Sequence, residues 1–273
     1  MSEFINTIDV HGDDAVADSL ITRTITEFKD DVITVIPTHA FSYIHNLKRV
    51  DFPNVETMGV YVFYDCTNLE SVNMPALKSI NPSNTDGAVF GNCTNLTEFN
   101  APNLEFVVRE MFSGCTKLKQ LNLPKVTLLH YLAFGNSSIE IADFRSVLNA
   151  YGNVFQNSRN LRIANLPLAE GTMPDLFSGC NALEYAILGN PTAISSNAFK
   201  NTTKATLILP NKTKVTPCAD ATVLSPLKEV YVPRASLADY KAGTNWVDCA
   251  DKIFAIEDSE TILSLLDEYG YDY

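Results

Sequence analysis

The chain has 273 residues, 46% of them apolar and 19% charged, a globular balance that excludes a disordered polymer. A formal charge of −12 argues against a general nucleic-acid binder, which needs an excess of Lys and Arg for phosphate contacts. No apolar run approaches the roughly 18 residues of a membrane span. Met1 to Asp14 lack the basic start and apolar core of a secretory signal.

The charge sits at the two ends. Residues 1–31 carry eight acids against two bases, residues 257–273 carry six acids and no base, and the stretch between is neutral. Such ends read either as solvated, aggregation-blocking termini or as a dock for a basic partner. Within an N-terminal cap, residues 1–32, Asp13 and Asp14 suit the start of a short helix through Thr22, with Ala15, Val16, Ser19 and Leu20 turned inward. Ile25 and Phe28 match Leu47 and Val50 one period later, which predicts a partial first turn.

From Phe41 a block recurs: Phe, a small residue three positions on, Leu three further, then two alternating apolar residues and Pro. Phe63–Cys66–Leu69–Val72–Met74–Pro75 is its clearest copy, followed by Phe90–Cys93–Leu96–Phe99–Ala101–Pro102 and Phe112–Cys115–Leu118–Leu121–Leu123–Pro124. Phe41, Phe134, Phe155, Phe177 and Phe199 open further copies, and Leu227–Val230–Val232–Pro233 is a half-copy without its Phe. The steps between Phe positions are 22, 27, 22, 22, 21, 22 and 22 residues. A constant period this short predicts a solenoid over residues 33–233, one unit per turn. Asn81 to Gly87 supplies the loop composition for the 27-residue step.

The end of each block alternates as a short strand does, and Pro stops it. A second apolar pair such as Val55 and Met58 predicts a second short extended piece per turn. One turn cannot bury enough apolar surface to fold alone, so stability must come from stacking and caps. An alanine at Leu118, in the centre of the array, is therefore expected to cost more than one at Leu227 near its end.

The strand register also names the outward positions. One column runs Asp51, Asn73, Asn100, Asn122, Asp143, Asn165, Ile187, Ile208 and Tyr231. Its neighbour runs Arg49, Ser71, Glu98, Gln120, Ile141, Ile163, Tyr185, Thr206 and Glu229. The early part is polar, and its Asn run could form a ladder of stacked amides. The later part makes Ile141, Ile163, Tyr185, Ile187, Ile208 and Tyr231 a candidate binding face, or else a surface covered by the chain's own C-terminal helix.

A C-terminal cap, residues 234–257, opens with a predicted helix over Arg234–Ala242 closed by Gly243, and Trp246 is placed to cover the last turn. An acidic tail, residues 258–273, holds a predicted helix capped by Asp258 or Ser259 and stopped at Gly270. Its apolar face, Ile262, Leu265, Leu266 and Tyr269, is a candidate docking tail, and the final Tyr271-Asp272-Tyr273 is expected to be mobile.

The residues give no catalytic constellation. Cys66, Cys93, Cys115 and Cys180 share one repeat slot that elsewhere holds Ile44, Ser137, Ser158 or Thr202, which marks a packing slot. Bridges among the neighbouring three, or between Cys218 and Cys249, are the alternative to free thiols. Stacked single cysteines cannot build a tetrahedral zinc site. His39 and His45 read as turn residues, and no hydrolase, phosphate-loop or dinucleotide motif is present. The sequons at Asn92, Asn95, Asn136, Asn201 and Asn211 read as chance in an Asn- and Thr-rich chain. No enzyme activity, cofactor or metal is expected.

The Phe-x-x-Cys-x-x-Leu-x-x-Val-x-Met-Pro block resembles the BspA-like leucine-rich repeat, a coil of short β-strands with about nine turns of some 22 residues here and helical caps. Phe4 to Val10 with Ile25 to Asp31 is similar to the starts of repeat proteins encoded by bacteriophages and prophages of gut bacteria. Tyr231-Val232-Pro233, Leu237 to Lys241 and Thr244-Asn245-Trp246 are similar to their usual ending. The resemblance implies a recognition module of the virion, a tail-fibre or receptor-binding protein. Its partners would be a protein or bacterial cell-surface ligand and other virion proteins. A structural virion component without receptor contact, or a bacterial surface adhesin binding host matrix proteins, is the alternative, with the cell surface or cytoplasm as the alternative location.

Overall fold

The protein, described by a computed structural model over residues 25–80, 87–189, 191–210 and 215–271, forms two compact units, residues 1–139 and 140–273. The expected N-terminal helix and the residues 81–86 of the insertion lie outside the described residues.

In the first unit, β1 (Glu27–Lys29), β3 (Arg49–Asp51), β5 (Ser71–Asn73), β7 (Glu98–Asn100) and β9 (Gln120–Asn122) form one parallel sheet in that order. The register is one period per strand: Phe28 faces Val50, Val50 faces Val72, Val72 faces Phe99 and Phe99 faces Leu121. The 27-residue step is thus absorbed outside the strand. A second ribbon pairs β2 (Val35–Ile36), β4 (Thr57–Met58) and β6 (Ser79–Ile80), and beyond the insertion β8 (Phe106–Val107) pairs β10 (Leu128–Leu129). These are the second extended pieces that the apolar pairs predict.

β1, β3, β5 and β7 each bury the middle residue and turn the flanking two outward, the period-2 geometry of a strand with one buried face, and in β9 the middle residue Leu121 is half-buried. Between the ribbons the repeat Phe packs inward, and the rings stack: Phe41 on Phe63 at 5.1 Å, Phe63 on Phe90 at 5.3 Å, Phe90 on Phe112 at 5.6 Å and Phe112 on Phe134 at 5.3 Å. Two residues after the Phe the backbone is left-handed, at Tyr43, Asp65, Asn92, Gly114 and Asn136. Asn and Gly tolerate that conformation best. This explains the sequons at Asn92 and Asn136: a left-handed Asn precedes the small slot.

The second unit has a parallel sheet in the order β11 (Ile141–Asp143), β13 (Ile163–Leu166), β14 (Tyr185–Leu188), β15 (Thr206–Ile208), β16 (Glu229–Val232) and β17 (Ile253–Ala255); outside it, β12 (Asn149–Ala150) bridges to Glu170 through Asn149. Gly189 stands where other blocks have Pro. Its N–H donates to the Leu166 carbonyl at 3.2 Å, and a Cβ there would lie 1.6 Å from the Pro167 oxygen. Proline has neither the donor nor the room.

The sheet continues one strand past the last repeat, with Val230 facing Ile253 and Val232 facing Ala255. The sequence hides β17 because its turn has no Phe or Pro and is filled instead by a short helix, α1 (Leu237–Ala242), preceded by a 3-10 turn at Arg234–Ser236. The Tyr240 and Trp246 rings meet edge to face at 4.9 Å, fully buried. Their polar atoms are held by Thr216: Trp246 Nε1 donates to its carbonyl at 2.7 Å, and the Tyr240 hydroxyl donates to Oγ1 at 3.1 Å.

The last element is α2 (Glu260–Glu268). The Ser259 side chain caps it by accepting from Ile262 N. It stops at Gly270, whose φ of +72° is left-handed, with Gly270 N bonded to the Asp267 carbonyl and Tyr271 N to the Leu266 carbonyl. This pair of bonds turns the chain back over the helix and brings Tyr271 beside Leu266.

Candidate functional site

The outward face of the first unit is polar and internally bonded. Lys29 pairs with Asp51 at 3.0 Å, and the Asn73 amide donates to the same carboxylate at 2.8 Å. Asn100 donates to Asn73 Oδ1 at 2.6 Å and Asn122 to Asn100 Oδ1 at 2.7 Å, so the Asn run is a ladder of side-chain amides, one per turn. The Lys29 ammonium, with the Asn73 amide, holds the Asp51 carboxyl below the usual carboxylate range. Beside the ladder, Arg49, Glu98 and Gln120 are exposed and Ser71 is half-buried.

The turns that carry Phe41 and Phe63 add an aromatic group that sequence reasoning missed. The Tyr64 ring meets those of Tyr43 and Tyr61 edge-on, each at 5.7 Å, and His39 stacks on Tyr61 at 5.1 Å. His45 Nε2 lies 3.0 Å from Asp65 Oδ2, and the Asn92 amide donates to the Tyr64 hydroxyl at 3.3 Å. His39 and His45 are turn residues, as expected, but they belong to this group. The signal in the sequence was Tyr43, in a position that other turns give to Asn, Asp or Gly.

The outward face of the second unit is apolar and covered. Ile187 and Ile208 are buried in one cluster with Ile256, Ile262, Leu266, Tyr269 and Tyr271, flanked by Ile163, Tyr185, Tyr231, Leu263 and Leu265. Of the two openings left by the sequence, a binding patch or a surface covered by the chain's own helix, the structure has the second at these positions. Ile187 and Ile208 are therefore closed to a partner, because α2 lies on them. Ile141 is not in this cluster and is 51% exposed. Leu265 flanks the cluster, whereas Leu263, outside the predicted stripe, also packs against it.

Polar contacts hold both ends of the helix. The carboxylate of Glu257 accepts from the Arg234 backbone N–H at 2.9 and 3.0 Å, and the Arg234 guanidinium pairs with Asp258. At the other end the Arg145 guanidinium, paired with Asp143 at 3.0 Å, lies 5.9 Å from the centre of the Tyr269 ring. Tyr271, expected to be mobile, is buried: its hydroxyl donates to Asn165 Oδ1 at 2.8 Å, and Asn165 Nδ2 donates to Asp143 Oδ1 at 2.7 Å. The turn at Gly270 carries it inward.

All six cysteines are free and buried. In the repeat slot each thiol donates to the carbonyl of the Phe one turn earlier: Cys66 to Phe41, Cys93 to Phe63, Cys115 to Phe90 and Cys180 to Phe155, at 3.0–3.1 Å. The slot therefore takes a small side chain whose thiol can donate to the turn before, although buried Ile44 shows that a donor is not required. Burial pushes the Cys180 thiol up to about 12 and raises those of Cys66, Cys93 and Cys115 as well, opposite to what a nucleophile or metal ligand needs. Among the described residues no cluster of His, Cys, Asp or Glu is placed to hold a metal ion, and no helix is long and apolar enough to cross a membrane.

Among solved structures, the chain is similar to a leucine-rich repeat protein from Bacteroides ovatus, with 16% identity over 78% of this chain and 64% of that one and a TM-score of 0.46. It thus spans about two thirds of that protein's length. It is also similar to the T. pallidum leucine rich repeat protein, with 19% identity over 67% of this chain and 74% of that one and a TM-score of 0.41. A leucine rich cell surface protein from Faecalibacterium prausnitzii gives 15% identity, 88% and 89% coverage and a TM-score of 0.37. No curated protein matches significantly. The BspA type leucine rich repeat region matches in six copies over residues 3–83 and 83–206. With that match added to stacked turns built on a repeated Phe, a small donor slot and a Pro stop, the chain belongs to the BspA-type leucine-rich repeat family.

Proposed function

We propose that the protein is a non-enzymatic recognition module of a bacteriophage virion, a tail-fibre or receptor-binding protein that contacts the bacterial surface. Leucine-rich repeat arrays serve as interaction modules, and the start and ending of this chain are similar to those of phage-encoded repeat proteins. The observation that carries the reading is a contrast between outward faces. The apolar one in the second unit is covered by the chain's own helix, while the first unit presents its polar ribbon and aromatic turns. One fold hosts many partners, so the displayed face, and not the coil, sets what is bound. Mass spectrometry of purified virions tests the location, and binding of the labelled full-length chain to host cells tests contact. Presence in virions together with cell binding supports the proposal. Presence without binding reduces the protein to a structural component, and absence from virions overturns the virion assignment.

A further inference from the structure

The aromatic group of the first unit is placed at a conformational cost. Two residues after the repeat Phe, the described turns have left-handed φ at Tyr43, Asp65, Asn92, Gly114, Asn136, Asn157, Gly179 and Asn201. Tyr43, at φ 61°, is the bulky exception in a series of Asn, Asp and Gly; Tyr61, at φ 56°, stands two residues before its Phe, a position that is left-handed at His39, Glu110 and Leu132 as well. A large side chain is disfavoured there, and such outliers gather where a side chain is displayed for use. Tyr43 is 38% exposed. Tyr64 completes the group by lying against the next turn at Gly91, where a Cβ would come within 3.0 Å of its ring.

The rim is made of hydrogen-bonding groups of low net charge. Asp65 offers a carboxylate partnered by His45, and Asn92 offers an amide bonded to the Tyr64 hydroxyl. Rings beside an amide, a carboxylate and an imidazole suit a sugar. The C–H face of a pyranose packs on an aromatic ring while its hydroxyls exchange hydrogen bonds with the rim. A nucleic acid would instead need Lys and Arg around the rings.

We propose that Tyr43, Tyr61 and Tyr64, rimmed by His45, Asp65 and Asn92, form a shelf that binds a neutral glycan. This rests on the surface-recognition reading above and names its ligand class. The full-length chain is run through native gels containing dextran, mannan or galactan. Retardation in at least one gel is expected, weakened about 2- to 10-fold by Tyr43→Asn and again by Tyr64→Ser. Tyr43→Asn installs the residue that other turns use at this backbone conformation, so it keeps the fold. In parallel, labelled protein is added to host cells treated with periodate, which destroys glycans, or with protease. Loss of binding after periodate alone supports the shelf. Loss after protease alone overturns it in favour of a protein partner and leaves the recognition reading intact, whereas no binding to untreated cells overturns the recognition reading. Retardation in no gel together with periodate-resistant binding, or retardation that both variants leave unchanged, overturns the glycan proposal.

Discussion

The Tyr271 hydroxyl donates a 2.8 Å hydrogen bond to Oδ1 of Asn165, 106 residues upstream, and both residues are buried. The bond ties the end of the C-terminal tail to an outward strand position and satisfies an amide that α2 would otherwise bury without a donor. Tyr271→Phe removes the donor and leaves that oxygen unpaired, at an expected cost of about 1–3 kcal/mol. Chemical denaturation of the variant checks this; an unchanged midpoint refutes it.

Deleting residues 258–273 uncovers Ile187 and Ile208. A nine-residue helix has little stability of its own in water, so its cluster with the sheet is what orders it. The truncated protein is expected to bind a hydrophobic dye and to self-associate, measured by fluorescence and by light scattering. A monomer that stays dark to the dye counts against the cover.

The cysteines are expected to be silent in the native protein. Burial raises their thiol pKa values, Cys218 to about 11, so few thiolates exist near neutral pH. A disulfide-exchange reagent should count six thiols after unfolding without reductant and almost none before. Rapid native reaction at any repeat-slot cysteine contradicts the packing. Cys93→Ser should be tolerated, because Ser occupies the same slot at Ser137 and Ser158.

Leu227 lies near the end of the repeats, yet it is almost as buried as Leu118. The added strand β17 pairs with β16 beyond it, and Lys252 Nζ bonds the Leu227 carbonyl at 3.0 Å. The sequence-based expectation of a milder effect at Leu227 is therefore replaced. Both alanine variants should lose about 2–5 kcal/mol. A clearly smaller loss at Leu227, measured by denaturation, would restore the original ranking.

His39 links the aromatic group to pH. Burial lowers its pKa below 6.5 in the folded protein; the Ser42 hydroxyl donates to the Tyr61 carbonyl at 2.6 Å, which leaves its oxygen to accept from His39 Nδ1 at 3.1 Å. The unfolded chain takes up the proton at a higher pH than the folded one, so stability falls as pH drops through 6.5 towards the folded pKa. His39→Gln should flatten the stability profile between about pH 7 and pH 5. A profile identical to that of the parent chain would show that the ring contributes nothing to this dependence.

Much of the repeat was legible because each turn answers to the same constraints. The spacing of Phe90, Phe112 and Phe134 fixes the period, alternation around Val50 and Val72 fixes the strand register, and Pro53 and Pro75 mark where pairing must stop. The outward columns followed from register alone, since side chains on a strand alternate with period 2. The Asn ladder could be named in advance for the same reason. The aromatic shelf could not, because Tyr43, Tyr61 and Tyr64 stand at different offsets from their Phe and come together only once the turns stack.

The sequence by itself determined the coil, its period, its core and the apolar stripe of the last helix, because these depend on local alternation and on a repeat that each turn restates. The tertiary structure alone decided where the stripe lands, that β17 extends the sheet, and that Tyr271 is buried. A helix face specifies that apolar surface must be covered but not by what. The answer depends on the direction of the chain leaving Ala255 and on the left-handed turn at Gly270, which together set α2 over Ile187 and Ile208 and bring the Tyr271 hydroxyl within reach of Asn165.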